Sequence, residues 1–188
     1  MYYSRIEGHF NFEEIYDKVL AEVLGKGDVL VEVGSYFGKS TCYMAEKIKE
    51  LGLEVEFHAV DTFVGSPDDQ KLLKRIKKLG GDIYPVFIDN MNKAGVMDII
   101  TVHRMSSLEA ANLFGSESLF FGFLDAAHDY KSVKSDMEVW YPKIKNGCIF
   151  AGHDYGNRIL TGVDKAVHER FGSDFELIEN SWLHRKHL

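Results

Sequence analysis

The chain is poor in proline, cysteine and positive charge, and it has no long hydrophobic run. Three prolines, at 67, 85 and 142, leave no proline-rich linker to divide it. Two cysteines, Cys42 and Cys148, are too few for a disulfide framework, so they predict two buried, inert thiols and a reducing, cytoplasmic home. A net charge of −7 argues against a general nucleic-acid binder, which needs a basic footprint to neutralise phosphates. No apolar run approaches the ~20 residues of a membrane span. The first residues, MYYSRIEGHFNFEE, lack the apolar core and cleavage site of a secretory signal. Internal repeats and low-complexity tracts are also missing.

What remains is a 188-residue chain, 45% hydrophobic, of a size that suits one domain with a substantial core. Residues 12–24 carry Phe12, Ile15, Val19 and Val23 at helical spacing and predict an N-terminal helix. Strands and helices then alternate. Strands are expected at Val29–Val33, Val55–Val60, Ile99–His103, Leu119–Leu124, Cys148–Ala151, Phe175–Ile178 and Ser181–His187. Helices are expected over Lys39–Leu51, residues 71–79, residues 83–94, Leu108–Phe114, Ser132–Tyr141 and Thr161–Phe171. The pattern predicts an α/β fold, a doubly wound and mostly parallel sheet with helices on both faces. Ligands in such sheets sit beyond the carboxyl ends of the strands. Glu32, Asp61, Arg104, Asp125 and Asp154 fall at those ends. The segments 64–82 and 155–160 flank the expected cleft. The basic run KLLKRIKKL at 71–79 reads as a helix with a solvated charged face, or as the contact for an anionic partner.

The segment VLVEVGSYFGKST, residues 29–41, reads as a strand, a glycine turn and a helix start. Such turns hold nucleotide-like ligands. Gly34 to Ser40 is near a phosphate-binding G-x-x-x-x-G-K-[ST] loop but is one residue short of it, which makes Lys39 a solvated side chain. Asp61, 27 residues after Gly34, can accept from ribose hydroxyls. Glu32 beside the loop repels a pyrophosphate and suits a cofactor carrying an ammonium and a sulfonium.

VEVGSYFGKST resembles motif I of class I S-adenosylmethionine-dependent methyltransferases, of the form E-x-G-x-x-x-G-x-S, and AVDTF resembles their second motif. The stretch FLDAAHDYKSVKSDMEVWYPKIKNGCIFAGHDY, then GVDKAVHERF and Trp182, are similar to a methyltransferase-domain family that includes small-molecule and sugar O-methyltransferases. The resemblance covers roughly residues 27–188. It implies a seven-stranded Rossmann-like sheet in one methyltransferase domain, residues 1–188, with S-adenosylmethionine as methyl donor. It further implies that Glu32, Gly34 and Gly38 line the methionine moiety, helped by Ser35, Tyr36 and Ser40. Asp61 would bind the ribose, Thr62 and Phe63 would lie beside the adenine, and Met105 and Ser106 would close its pocket. Arg104-Met105 replaces the glycine and acid of many relatives.

Asp125, His128, His153 and Asp154 form a second group. Two carboxylates and a histidine converging on a cleft can hold a divalent metal. The resemblance implies that Asp125, His153 and Asp154 are the metal ligands and His128 the general base. His153 stands where several relatives have an acid, which shifts the metal preference from Mg²⁺ towards Mn²⁺, Fe²⁺ or Zn²⁺. The implied partner is a small-molecule or sugar acceptor, with no nucleic acid or membrane, and an oligomer is compatible with the sequence. Two other readings stay open: an NTPase using the near-phosphate loop, and a binding module that keeps the cofactor pocket without chemistry. The remaining histidines, at 9, 58, 103, 168, 184 and 187, show no usable spacing and default to surface or core roles.

Overall fold

A computed structural model describes residues 1–157 and 161–187; residues 158–160 of the segment expected beside the cleft, and residue 188, lie outside it. The elements in chain order are α1 (Glu13–Glu22), β1 (Val29–Val33), α2 (Lys39–Leu51), β2 (Glu56–Asp61), α3 (Gln70–Lys78), α4 (Tyr84–Ala94), β3 (Ile100–Arg104), α5 (Ser107–Ala111), β4 (Leu119–Leu124), α6 (Tyr130–Trp140), β5 (Ile144–Gly152), α7 (Thr161–Phe171), β6 (Glu176–Ile178) and β7 (Ser181–Arg185). All seven strands join one sheet in the order β3-β2-β1-β4-β5-β7-β6. The first five run parallel, and β7 is antiparallel to both β5 and β6. No helix among the described residues is long and apolar enough to cross a membrane.

The two faces of the sheet carry separate apolar layers. One holds α1, α2 and α4, with Ile15, Tyr16, Met44, Phe87 and Phe121 packed together. The other holds α5, α6 and α7, with Val33, Met137, Trp140, Val167 and Trp182. β4 is buried along its whole length, as a central strand covered on both faces must be. β5 begins earlier than the expected Cys148, because Ile144 pairs with Leu119 across a register shift that lets Lys145, Asn146 and Gly147 bulge before pairing resumes. Of the two free thiols, Cys42 is buried and Cys148 half-buried, which corrects the expectation that both lie in the core. Burial raises the thiol of Cys42 to about 12.

β1 lies between β2 and β4, so chain leaving β1 turns to one face and chain leaving β4 to the other. The crevice opens there. The last turn before its rear wall is fixed by α7: a Cβ on Gly162 would lie 2.3 Å from the His128 carbonyl oxygen and 2.4 Å from the Tyr130 nitrogen. Gly162→Ala must therefore push α7 off the 128–130 turn. The expected cost is about 1–3 kcal/mol, as for other overpacked contacts, read as a lower denaturant midpoint at unchanged slope.

Candidate active site

A cleft of about 1620 Å³ runs along the carboxyl ends of β1, β2, β4 and β5. Its inner end is the loop after β1. Gly34 has φ +96°, and a Cβ there would fall 1.9 Å from the Asp125 carbonyl oxygen. Glycine is therefore the residue that lets the β1 loop lie against the β4 loop. Asp61, at the end of β2, clasps the same loop. Its Oδ2 accepts from the backbone N–H groups of Ser35 and Tyr36, both at 2.8 Å, and its Oδ1 accepts from Phe63 N–H at 2.7 Å. This holds Tyr36 at φ 51°, a strained value for a side chain of that size. Burial raises the Asp61 carboxyl, and the three backbone donors oppose that shift.

Glu32 is buried behind the loop rather than on the cleft wall, and accepts a short hydrogen bond from Ser40. Burial raises it from 4.5 to about 7. Gly38 also faces away: a Cβ there would meet Met91 and Phe87. Phe63 is fully buried and packs its ring on Tyr84 and Phe87, and Met105 packs beneath the sheet. Gly34, Ser35, Tyr36, Ser40, Asp61, Thr62 and Ser106 line the cleft, whereas Glu32, Gly38, Phe63 and Met105 do not. The second set supports the walls from behind. Lys39 corrects its expectation too: it is half-buried, and its Nζ donates to the Gly8 carbonyl at 3.1 Å.

The second group converges as expected, with its members rearranged. One ligand atom each from Asp125, His128 and Asp154 lies within 4.8 Å of the others. His128 Nε2 is 3.0 Å from Asp154 Oδ2, and its Nδ1 is 3.3 Å from Asp68 Oδ2. Asp68 also accepts from the His128 backbone N–H at 2.8 Å. Burial would lower the His128 imidazole, but the hydrogen bond to Asp154 and the charges of Asp154, Asp125 and Asp68 raise it to about 9. His153 stands deeper. Its Nε2 donates to the Asn11 side-chain oxygen at 2.8 Å, and its Nδ1 lies 3.5 Å from both Asp125 and Asp154. The same opposition of burial and carboxylates raises it to about 10. The two imidazoles hold Asp154 well below the usual carboxylate range, against its burial. Asp154 itself has φ 61°. Tyr130 lies outside the cleft, bonded to Glu169 and covered by Lys165.

Two contributions escaped sequence reasoning. The N-terminal segment supplies Gly8 and His9 to the cleft and Asn11 to His153. Ser107 and Asp136 form a polar corner: Ser107 Oγ donates to Asp136 Oδ1 at 2.6 Å and accepts from Trp140 Nε1 at 2.8 Å. Burial raises Asp136 to about 6. The segment 64–82 does flank the cleft as expected: α3 forms one wall, with Lys71, Lys74, Arg75 and Lys78 facing it. The histidines without spacing also find partners, as in His58 Nδ1 with His103 Nε2 at 2.9 Å.

The family model described as "Methyltransferase domain" matches residues 31–155. No curated protein matches the chain. Among solved structures, the O-methyltransferase NovP is similar with a TM-score of 0.68 at 19% identity, over 94% of this chain and 79% of that one. The calicheamicin methyltransferase CalS11 gives 0.62 at 16% identity, over 92% and 76%. A protein described as a "putative O-methyltransferase from Klebsiella pneumoniae" gives 0.64 at 15% identity, over 100% and 87%. These likenesses establish the fold.

Two outcomes follow for the loop. Asp61→Asn turns an amide –NH₂ towards one set of backbone donors. Loss of hydrogen bonds to a charged acceptor should cost about 1.5–3 kcal/mol, with faster hydrogen exchange at the Ser35 and Tyr36 amides. Glu32 gives a pH signature. Between pH 4.5 and 7 the folded chain keeps a proton that the unfolded chain has released. Its contribution to stability is thus complete below pH 4.5 and lost as the pH rises to about 7. Glu32→Gln should remove this part of the slope in urea titrations across that window.

Proposed function

We propose that this chain, which belongs to the methyltransferase-domain family, transfers a methyl group from S-adenosylmethionine to the oxygen of a small-molecule or sugar hydroxyl. By family and fold it is a class I S-adenosylmethionine-dependent methyltransferase. The observation that carries the acceptor reading is that the β1 loop rests on the backbone of Asp125, so the donor loop and the Asp125–His128–Asp154 cluster share one cleft. A sulfonium seated over Gly34 and Ser35 would face that cluster. The Ser107–Asp136 corner offers acceptors for the exocyclic amine of the adenine.

The transfer is an in-line displacement at carbon, so the protein's contribution is positioning and activation of the hydroxyl. In this reading His128 takes the hydroxyl proton in its neutral form, which requires that the charges of Asp154, Asp125 and Asp68 that raise it to about 9 be offset. Asp154 and Asp68 orient the imidazole through its two nitrogens. The carboxylates of Asp125 and Asp154 would hold a divalent cation, which leaves His128 free to act as the base. A cation on Asp125 and Asp154 would supply Lewis acidity to the hydroxyl oxygen and offset the carboxylate charge beside His128. A second reading rests on His153: its Nδ1, 3.5 Å from both carboxylates, places an imidazolium charge where that cation would be needed.

Calorimetry should show S-adenosylhomocysteine binding; no heat at millimolar cofactor overturns the assignment. His128→Gln should lower kcat by about 10²–10⁴ with cofactor affinity kept. Activity lost on chelation and restored by Mn²⁺ supports the metal. Activity that survives chelation and disappears in His153→Ala supports the imidazolium.

A further inference from the structure

The basic run on α3 has no part in the chemistry above. Over Lys71–Lys78 it carries five cationic side chains and no acid, in a chain of net charge −7. The apolar side of α3 is anchored, with Ile76 buried and Leu72 packed against the same core, and the solvent-exposed Lys71, Lys74 and Lys78 line the open side of the cleft. Arg75 is already engaged, paired with Glu7 and resting over the rings of Tyr36 and Phe37. Neighbouring acids are engaged as well. Asp69 caps α3 by accepting from Leu72 N–H at 2.8 Å, and Asp68 holds Ser66 and His128. Lys71, Lys74 and Lys78 have no carboxylate partner among the described residues. Lys131 also lines the cleft, from the start of α6.

S-adenosylmethionine does not account for these lysines. Its single anion is the methionine carboxylate, and its sulfonium is repelled by ammonium groups. The cleft, at about 1620 Å³, also exceeds the roughly 300–1,000 Å³ typical of one ligand site. From Lys71 to Lys78 the helix rises about 10 Å, a span suited to more than one anionic group. The start of α3 touches the chemical cluster through Asp68 and His128, and the lysines continue along the helix from that point.

We infer that the acceptor is a diphosphate-linked molecule, its diphosphate held by Lys71, Lys74 and Lys78 and its hydroxyl end at Asp125, His128 and Asp154. This rests on the methyl-transfer reading of the cleft. Lysine suits the role as a mobile point charge for phosphate oxygens.

The test is calorimetry on the protein saturated with S-adenosylhomocysteine, using uridine diphosphate glucose, inorganic pyrophosphate, glucose 1-phosphate and glucose as probes. The two diphosphates should bind, glucose 1-phosphate more weakly, and glucose without measurable heat. Tighter binding of the nucleotide sugar than of pyrophosphate assigns a nucleotide-linked acceptor; equal binding assigns the diphosphate alone. Raised salt should weaken both. The Lys71→Gln/Lys74→Gln double variant should lose at least tenfold in diphosphate affinity with cofactor affinity unchanged, and Lys77→Gln should behave as wild type. Diphosphates that bind no better than glucose, or a double variant with wild-type affinity, overturn the inference. Failure of S-adenosylhomocysteine to bind overturns the cofactor reading instead.

Discussion

The close approach of Gly34 to the backbone of Asp125 is the contact on which the rest of the site depends. Two loops leave neighbouring strands in opposite directions and are brought together because one of them has no side chain at the crossing. Asp61 completes the junction from a third strand by taking two N–H groups of the β1 loop. A carboxylate with backbone donors fixed around it cannot turn freely towards a ligand. Asp61 therefore acts first on the shape of the loop, and any contact with a ribose is made by a side chain already held in place. The acid behind it, Glu32, works in the same way through Ser40. The β1 end of the cleft is thus built by buried carboxylates that brace the loop, more than by side chains reaching into open space.

Charge is sorted within this acidic chain. Asp125 and Asp154 line the cleft floor and Asp68 joins them through His128, and like charges in such a half-buried site repel. Two imidazoles interleave with them and make the cluster tolerable: His128 between Asp68 and Asp154, His153 between Asp125 and Asp154. An acid in place of His153 would add a further negative charge and require a cation to compensate it. A histidine supplies part of that compensation from within the chain. The wall above the floor is lysine-rich, so the cleft runs from negative to positive along α3.

Much of the fold was legible because its strongest signals are local. β1, α2, β4 and α7 begin and end where β-branched runs, glycine turns and helical spacing place them. The order of motifs along the chain located the cleft. Side-chain direction was less accessible. Glu32 and Gly38 sit in the right loop, but the turn of the strand and the left-handed start of α2 point them into the core. Phe63, two residues beyond Asp61, was drawn inward by Phe87 and Tyr84. The exchange of His153 for His128 in the tightest acid–histidine grouping depends on Asn11, a residue 142 positions away in sequence. Nothing in the local pattern of either histidine encodes that partner. Asp136 carries no signal in the sequence; its burial comes from Ser107, which bonds to it and is itself held by Trp140.

The parts that complete the cleft lie outside the alternating strands and helices, and they are tied to one another. The N-terminal segment is held to α2 by Glu46, which accepts from the N–H groups of Tyr2 and Tyr3, and by Lys39 at Gly8. It reaches α3 through Glu7 and Arg75, and the floor through Asn11 and His153. α3 in turn meets the floor through Asp68. Residues 1–11 and 64–82 therefore form a second shell of walls, resting on the sheet but contributing no strand to it. The sheet-borne loops have a fixed shape, because the Gly34 crossing and the Asp61 hydrogen bonds hold that backbone in place. The added walls carry the unspent charges, and their side chains can be exchanged without moving the junction of β1 and β4. On the proposed reading, recognition of the acceptor would thereby be separated physically from recognition of the donor, with both meeting at Asp125.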